Sequence, residues 1–187
     1  MEDVAAWRRA ARADLIARRL AIEPALRAAW SAAIARRLED ALNSRPAGML
    51  GFYWPFRGEF DPRALVGSLM ARRWCAALPV VIGRGEPLEY REWTPETKLE
   101  RGALGILAPA AGAPVAPTVV LAPLVGFDAA RYRLGNGGGY FDLTLAALEP
   151  RPYAVGVGFE LGRLETIHPQ PHDRRMDAIV TEAATIR

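Results

Sequence analysis

Strands alternating with helices predict a layered α/β fold for this 187-residue chain. Two observations predict it. Apolar stripes at helical spacing open the chain, and short uninterrupted apolar runs then recur between helix-start signals. Residues 2–21 place Val4, Ala11, Leu15 and Ile16 at helical intervals among arginines, a first helix. Pro24 suits the first turn of a second helix, where its missing N–H would have had no partner. That helix, 24–42, carries Leu26, Trp30, Ile34, Leu38 and Leu42 in steps of four, a stripe expected to be buried. Pro46 ends the region, and residues 48–54 read as a buried strand. Asp61 as a carboxylate cap, with Pro62 in the first turn, starts a third helix that runs to about Arg73. Residues 76–82 form a second strand, and 87–93 alternate as an exposed or edge strand. Thr118 to Phe127 is expected as one long strand buried on both faces. A glycine-rich loop then leads into a helix from Tyr140 to Leu148, and 153–159 and 178–181 close the chain as short strands. The Ala-, Gly- and Pro-rich stretch 108–117 is expected as a loop, so residues 1–187 read as one domain.

Composition narrows the function classes. Hydrophobic residues at 51% and charged residues at 24% exclude a disordered or low-complexity chain. No apolar run approaches the ~18 residues of a membrane span, and no secretory core follows the charged N-terminus. A cytoplasmic protein without a membrane partner is therefore expected. Cys75 is the only cysteine, which excludes an internal disulfide and a multi-thiolate zinc site. Set between Trp74 and Ala76, its thiol is expected to be packed rather than nucleophilic. The net charge is +3, from 24 basic and 21 acidic residues, and Lys98 is the only lysine. Arginine grips phosphate and carboxylate bidentately. Here Arg8, Arg9, Arg12, Arg18, Arg19, Arg27, Arg36 and Arg37 alternate with acids and alanines instead of forming a patch interleaved with aromatics. A nucleic-acid partner is not expected, whereas a few of these arginines are candidates to meet an anionic ligand.

The segment from Arg131 to Asp142 carries the most chemistry. It follows a buried run, precedes a helix and holds Gly135, Gly137, Gly138 and Gly139. Glycines reach positive φ and let a ligand approach the amides closely. Successive N–H groups and the positive end of the next helix make a cradle for phosphate oxygens. Arg133 at the loop mouth adds charge-assisted donors, and Asp142 beyond it can hold a phosphate-bound Mg²⁺. The loop is not a Walker A motif, because it lacks Gly-Lys-Ser/Thr. Nor does it match the dinucleotide fingerprint, because Tyr140 takes the third glycine's place.

Arg133-Leu134-Gly135-x-Gly137-Gly138-Gly139-Tyr140-x-Asp142, preceded by Phe127-Asp128, resembles the signature of the 5-formyltetrahydrofolate cyclo-ligase (5,10-methenyltetrahydrofolate synthetase) family. Four further pieces follow the family in order. Arg8 and Arg12 match a basic pair that contacts ATP. Pro55-x-x-Gly58-Glu59 resembles a folate-contacting segment. Leu104-Gly105-Ile106 with Pro109 resembles a Gly-Ile-x-x-Pro turn. His172-Asp173-x-x-x-Asp177-x-x-Val180-Thr181 resembles a closing motif with Asp173 in a second metal position. Departures are Asn136 at an often basic loop position, Phe141 for a second tyrosine, Leu143 for a basic residue, Ala108 for a glutamate, and Leu161-Gly162 where a glutamine is common. They keep a second reading open, a paralogue that binds nucleotide or folate with altered substrate or no turnover.

The resemblance implies a three-layer α/β/α domain around a mixed, mostly parallel sheet, similar to sugar-phosphate isomerase and CoA-transferase folds. It implies ATP- and Mg²⁺-dependent closure of 5-formyltetrahydrofolate to 5,10-methenyltetrahydrofolate, with release of ADP and phosphate through a phosphorylated formyl group. The implied catalytic residues are Arg133 and Asp142. ATP would meet Arg8, Arg12, Arg133, Leu134, Gly135, Asn136, Gly137, Gly138, Gly139, Tyr140 and Phe141. The folate would meet Trp54, Glu59, Asn136, Gly137, Gly138, Gly139 and Tyr140, with Asp142 and Asp173 on the metal. The partner is a small reduced folate, with or without a polyglutamate tail, and the chain is expected to work as a monomer. Trp54, Phe56 and Tyr140 offer flat surfaces for its rings, whereas Tyr53 and Trp93 are expected in the core. Asp177 is expected to be structural. His168 and His172 are spaced for zinc, but Pro169 and Pro171 preclude a helix and no third ligand is evident. His172 is expected to orient Asp173 or the triphosphate.

Overall fold

In the computed structural model, residues 3–102 and 105–187 are described; Leu104 of the predicted Gly-Ile turn lies outside them. Two helices open the chain. In α1 (Val4–Leu20) the Asp3 carboxylate accepts the N–H groups of Ala5 and Ala6. In α2 (Pro24–Asn43) Glu23 does the same for Ala25 and Leu26. Each cap satisfies amides that a helix leaves without partners in its first turn. The α2 stripe is buried at Ile34, Leu38 and Leu42, but Trp30 is half-buried and Leu26 exposed, so only its C-terminal half meets the expectation.

There follow β1 (Met49–Gly51), α3 (Arg63–Met70), β2 (Cys75–Val80), β3 (Glu89–Trp93), β4 (Leu99–Arg101), β5 (Leu107–Pro109), β6 (Val119–Pro123), β7 (Gly126–Phe127), β8 (Arg133–Leu134), α4 (Tyr140–Ala147), β9 (Tyr153–Val157), β10 (Ala178–Val180) and β11 (Thr185–Ile186). Seven strands form the central sheet in the order β11-β10-β9-β6-β1-β2-β3. Its interior pairs are parallel, and β3 and β11 close the two edges antiparallel, the mixed and mostly parallel sheet expected. Side chains alternate across a strand. In β6, Val119 and Leu121 face one core with α2 and α3, through Ile34, Leu38, Leu65, Val66 and Leu69. Val120 and Ala122 face the other core, with Leu145 of α4 and Phe127. A sheet buried on both faces this way gives three layers.

The sequence reading needs four corrections. The run 118–127 is not one strand. The Leu124 N–H still donates to Val157, but the Val125 N–H donates to the Leu134 carbonyl, so the chain leaves the sheet there and pairs with β8. A Cβ on Gly126 would lie 2.9 Å from Leu15 Cδ1 and 3.2 Å from the Gly162 carbonyl oxygen, so a larger residue in that turn displaces its neighbours. The α3 helix starts one residue later than expected. Pro62 is its N-cap, the Asp61 carboxylate accepts the Arg63 N–H, and the helix ends at Met70, short of Arg73 with its φ of +68°. Residues 99–109 contain a hairpin, β4–β5, that reaches into the stretch expected to be loop. Cys75 is exposed at the start of β2, not packed, while Trp74 and Ala76 beside it are buried.

Candidate active site

A cavity of about 700 Å³ opens where the parallel strands end. Tyr53 and Trp54 follow β1, Pro79 and Val81 end or follow β2, and Pro123 ends β6; all five line it. In open α/β sheets the carboxyl ends of the strands are where ligands bind. The other walls come from α1, from the β4–β5 hairpin, from the glycine loop with α4, and from residues 170–173.

The loop's shape follows from its glycines. Gly137 has φ +105° and Gly139, the N-cap of α4, has φ +69°. Both conformations strain any residue with a Cβ. A Cβ on Gly138 would meet the Tyr140 ring at 2.7 Å. Arg12 holds the loop from α1, its Nε donating to the Gly135 carbonyl at 2.8 Å. The first amides of α4 have no acceptors within the helix and stand at the cavity.

Two arginine–carboxylate pairs stand at this cavity. Arg8 forks both Nη groups onto Asp173, at 2.9 and 3.0 Å, with only 9% and 5% of the two side chains exposed. Burial opposes ionisation of Asp173, but the hydrogen bonds from Arg8 and the Gln170 N–H and the nearby positive charges outweigh it, and its pKa lies below the ordinary value. The Arg133 Nη2 donates to Asp142 Oδ2 at 3.0 Å, while Asp142 Oδ1 accepts the Arg174 N–H. The Arg133 guanidinium also lies 5.3 Å over the Phe141 ring. Arg12 is pressed below its ordinary pKa by burial and by the charge of Arg8, yet an arginine stays charged at neutral pH. Arg8 Nε and Arg133 Nε are buried and have no hydrogen-bond partner among the described residues. Glu59 is nearly enclosed. Its Oε2 accepts the Phe56 N–H and its Oε1 accepts Asn136 Nδ2, each at 2.9 Å. Burial raises its pKa, against the Asn136 bond and the Arg19 charge.

Of the residues predicted for the site, Arg8, Arg12, Trp54, Glu59, Arg133, Gly135, Asn136, Gly137, Gly138, Gly139, Tyr140, Phe141, Asp142 and Asp173 all line this one cavity. Leu134 does not: its side chain is fully buried in β8. Asp177 lies outside, bound to Arg151 and to the Ala154 N–H. His168 packs edge-on against Trp7, and His172 Nε2 stands 3.8 Å from Asp173. Tyr53 and Trp93 are buried as expected, although Tyr53 also borders the cavity. Sequence reasoning missed Arg57, Gln170 and the apolar wall of Pro79, Val81, Leu88 and Ile106. Arg57 had one local signal, its place inside the Pro55–Glu59 segment. Among the described residues no group of three or more His, Cys, Asp or Glu could hold a metal unaided.

Three comparisons bear on this arrangement. The model of the 5-formyltetrahydrofolate cyclo-ligase family matches residues 4–182. The 5-formyltetrahydrofolate cyclo-ligase of Haemophilus influenzae is 29% identical over 140 residues, 71% of this chain and 74% of that protein. The NMR structure of Aquifex aeolicus 5,10-methenyltetrahydrofolate synthetase aligns with a TM-score of 0.83 at 26% identity, covering 96% of this chain and 92% of that one. A 5,10-methenyltetrahydrofolate synthetase from Mycoplasma pneumoniae shares the fold, with a TM-score of 0.78 at 21% identity over 94% of this chain and 98% of that one. A cavity at the strand ends, bordered by a glycine loop and two arginine–carboxylate pairs, thus sits within a match that spans nearly the whole sequence: the chain belongs to the 5-formyltetrahydrofolate cyclo-ligase family.

Proposed function

We propose that this chain, one domain over residues 1–187, closes 5-formyltetrahydrofolate to 5,10-methenyltetrahydrofolate at the expense of ATP, releasing ADP and phosphate. The observation that carries the reading is that the phosphate-type loop, Gly135–Gly139, and the folate-type carboxylate, Glu59, border one cavity of about 700 Å³. A formamide oxygen is a poor leaving group. It attacks the γ-phosphorus, the bond to ADP breaks, and the formyl oxygen leaves later as phosphate. The neighbouring folate nitrogen attacks the activated carbon, gives up its proton and completes the ring. No protein nucleophile is needed. The protein aligns two substrates and neutralises charge that spreads over the transferring group.

The side chains suit those tasks. Loop amides and the first turn of α4 receive phosphate oxygens. Arg8 and Arg133 each keep a buried Nε–H without an acceptor among the described residues, and both guanidinium groups bring positive charge to the cavity. Arg12 fixes the loop at the Gly135 carbonyl. Glu59 accepts from the amino-pyrimidine edge, and Trp54, Phe56 and Tyr140 give the rings apolar walls. Asp142 and Asp173 offer hard oxygens at the same cavity, where no group of three or more His, Cys, Asp or Glu among the described residues could hold a metal ion. That donor set fits Mg²⁺, which is held by one or two carboxylates together with substrate phosphates and water. When bound there, the ion would neutralise phosphate charge.

The test is turnover. The protein is mixed with 5-formyltetrahydrofolate, ATP and Mg²⁺, and the absorbance of the methenyl product is followed. Product is expected only when all three are present, and a chelator stops it. Product formed without ATP refutes the phosphorylation route. ATP binding without any product identifies the non-catalytic paralogue instead.

A further inference from the structure

A hydrogen bond joins the glycine loop to the Pro55–Glu59 segment, Asn136 Nδ2 donating to Glu59 Oε1 at 2.9 Å. Asn136 is an exposed residue of the glycine loop. The Glu59 side chain is only 4% exposed, and its other oxygen accepts the Phe56 N–H. The nearest cation, Arg19, stops short: its Nη2 stands 3.9 Å from Oε1 and has no hydrogen-bond partner among the described residues. A buried carboxylate short of donors is costly, so its orientation follows whichever donor is supplied. Here that donor rides on a loop whose backbone is tethered by Arg12 and shaped by the positive φ of Gly137. A carboxylate has about four lone-pair sites, and these two donors leave some for a ligand. Asparagine, unlike a basic residue at this position, fixes the carboxylate without cancelling its charge.

We propose that Asn136 is a positioning residue that couples the two substrates. Phosphates that order the glycine loop hold the Asn136 amide on Glu59, and the oriented carboxylate then binds the pterin edge more tightly. By linkage the folate tightens nucleotide binding by the same factor. The inference rests on the function proposed above.

The experiment is a pair of calorimetric titrations of 5-formyltetrahydrofolate, with and without a saturating non-hydrolysable ATP analogue and Mg²⁺. Wild-type protein is expected to bind the folate roughly five-fold or more tightly with the analogue present, the lower range of typical couplings. Asn136→Ala is expected to bring that ratio close to one, while Asn136→Gln, which keeps an amide donor, recovers part of it. A wild-type ratio of one overturns the coupling. So does an Asn136→Ala ratio equal to wild type, which would mark Asn136 as a plain folate contact or as no contact. If the wild-type protein binds neither ligand, the proposed function itself fails, a different result from binding both without coupling.

Discussion

Replacing Arg8 by alanine tests the best-defined tie at the cavity. The fork onto Asp173 joins α1 to a segment 165 residues away, with both side chains almost fully enclosed. Removing one member of a buried pair costs about 3–5 kcal/mol, because the other charge is left without its partner. Two features place the loss at the low end. Asp173 keeps the Gln170 N–H at 2.7 Å, and both residues border a cavity that water can enter. With about 3 kcal/mol lost and roughly 2–4 °C per kcal/mol for a chain of this size, Tm falls by about 6–12 °C at pH 7. The pH dependence follows from the lowered pKa of Asp173. Its stabilisation is complete above the unfolded value of 3.8 and is lost as pH falls through the lower folded value. The gap between wild type and Arg8→Ala, measured by thermal unfolding in near-UV circular dichroism, is therefore widest at neutral pH and narrows below 3.8. A paired change to apolar residues, Arg8→Met with Asp173→Leu, is expected to lose less than the single change, since no charge is stranded. A fall in Tm under about 2 °C, or a gap that does not narrow in acid, refutes the reasoning.

Glu59→Gln is expected to raise the folate KM roughly ten-fold or more, the worth of a hydrogen bond to a charged group, and the ATP KM by less. Equal rises in steady-state kinetics would remove its pterin role. Because burial raises the Glu59 pKa, its ionised form is disfavoured in the folded protein, and the same variant is expected to keep its Tm at pH 7. The Tyr90 hydroxyl is buried with no hydrogen-bond partner among the described residues, so Tyr90→Phe is expected to gain about 1 kcal/mol, or roughly 2–4 °C in Tm. A loss of Tm would show that the hydroxyl has a partner, such as a buried water.

Much of this was legible in the sequence because local signals carried it. The proline at position 24 does open α2, and the alternation over 87–93 does belong to an edge strand. The glycines at 137 and 139 do sit at positive φ, and the loop they shape reaches the cavity. What escaped was either uniform or distant. Every residue from 119 to 127 is buried, so hydropathy carries no mark of the turn at Leu124–Val125. The turn depends on pairing with Leu134, nine or more residues on. The β4–β5 hairpin has only three residues per strand, too few for a periodic signal. Arg8 and Asp173 were each singled out as ligands, but no local pattern shows that they grip one another. Cys75 escaped because burial switches at a strand start, with the residues on either side of it inside.

The fork between Arg8 and Asp173 also has a consequence for synthesis. On the ribosome, Arg8 emerges 165 residues before the group that neutralises it. Most of the sheet can assemble in the meantime, but the nascent chain carries an unmatched cation where the anion-binding wall will be. The pocket is complete only once the segment around Asp173 has joined the fold, so ligand cannot assist folding before then.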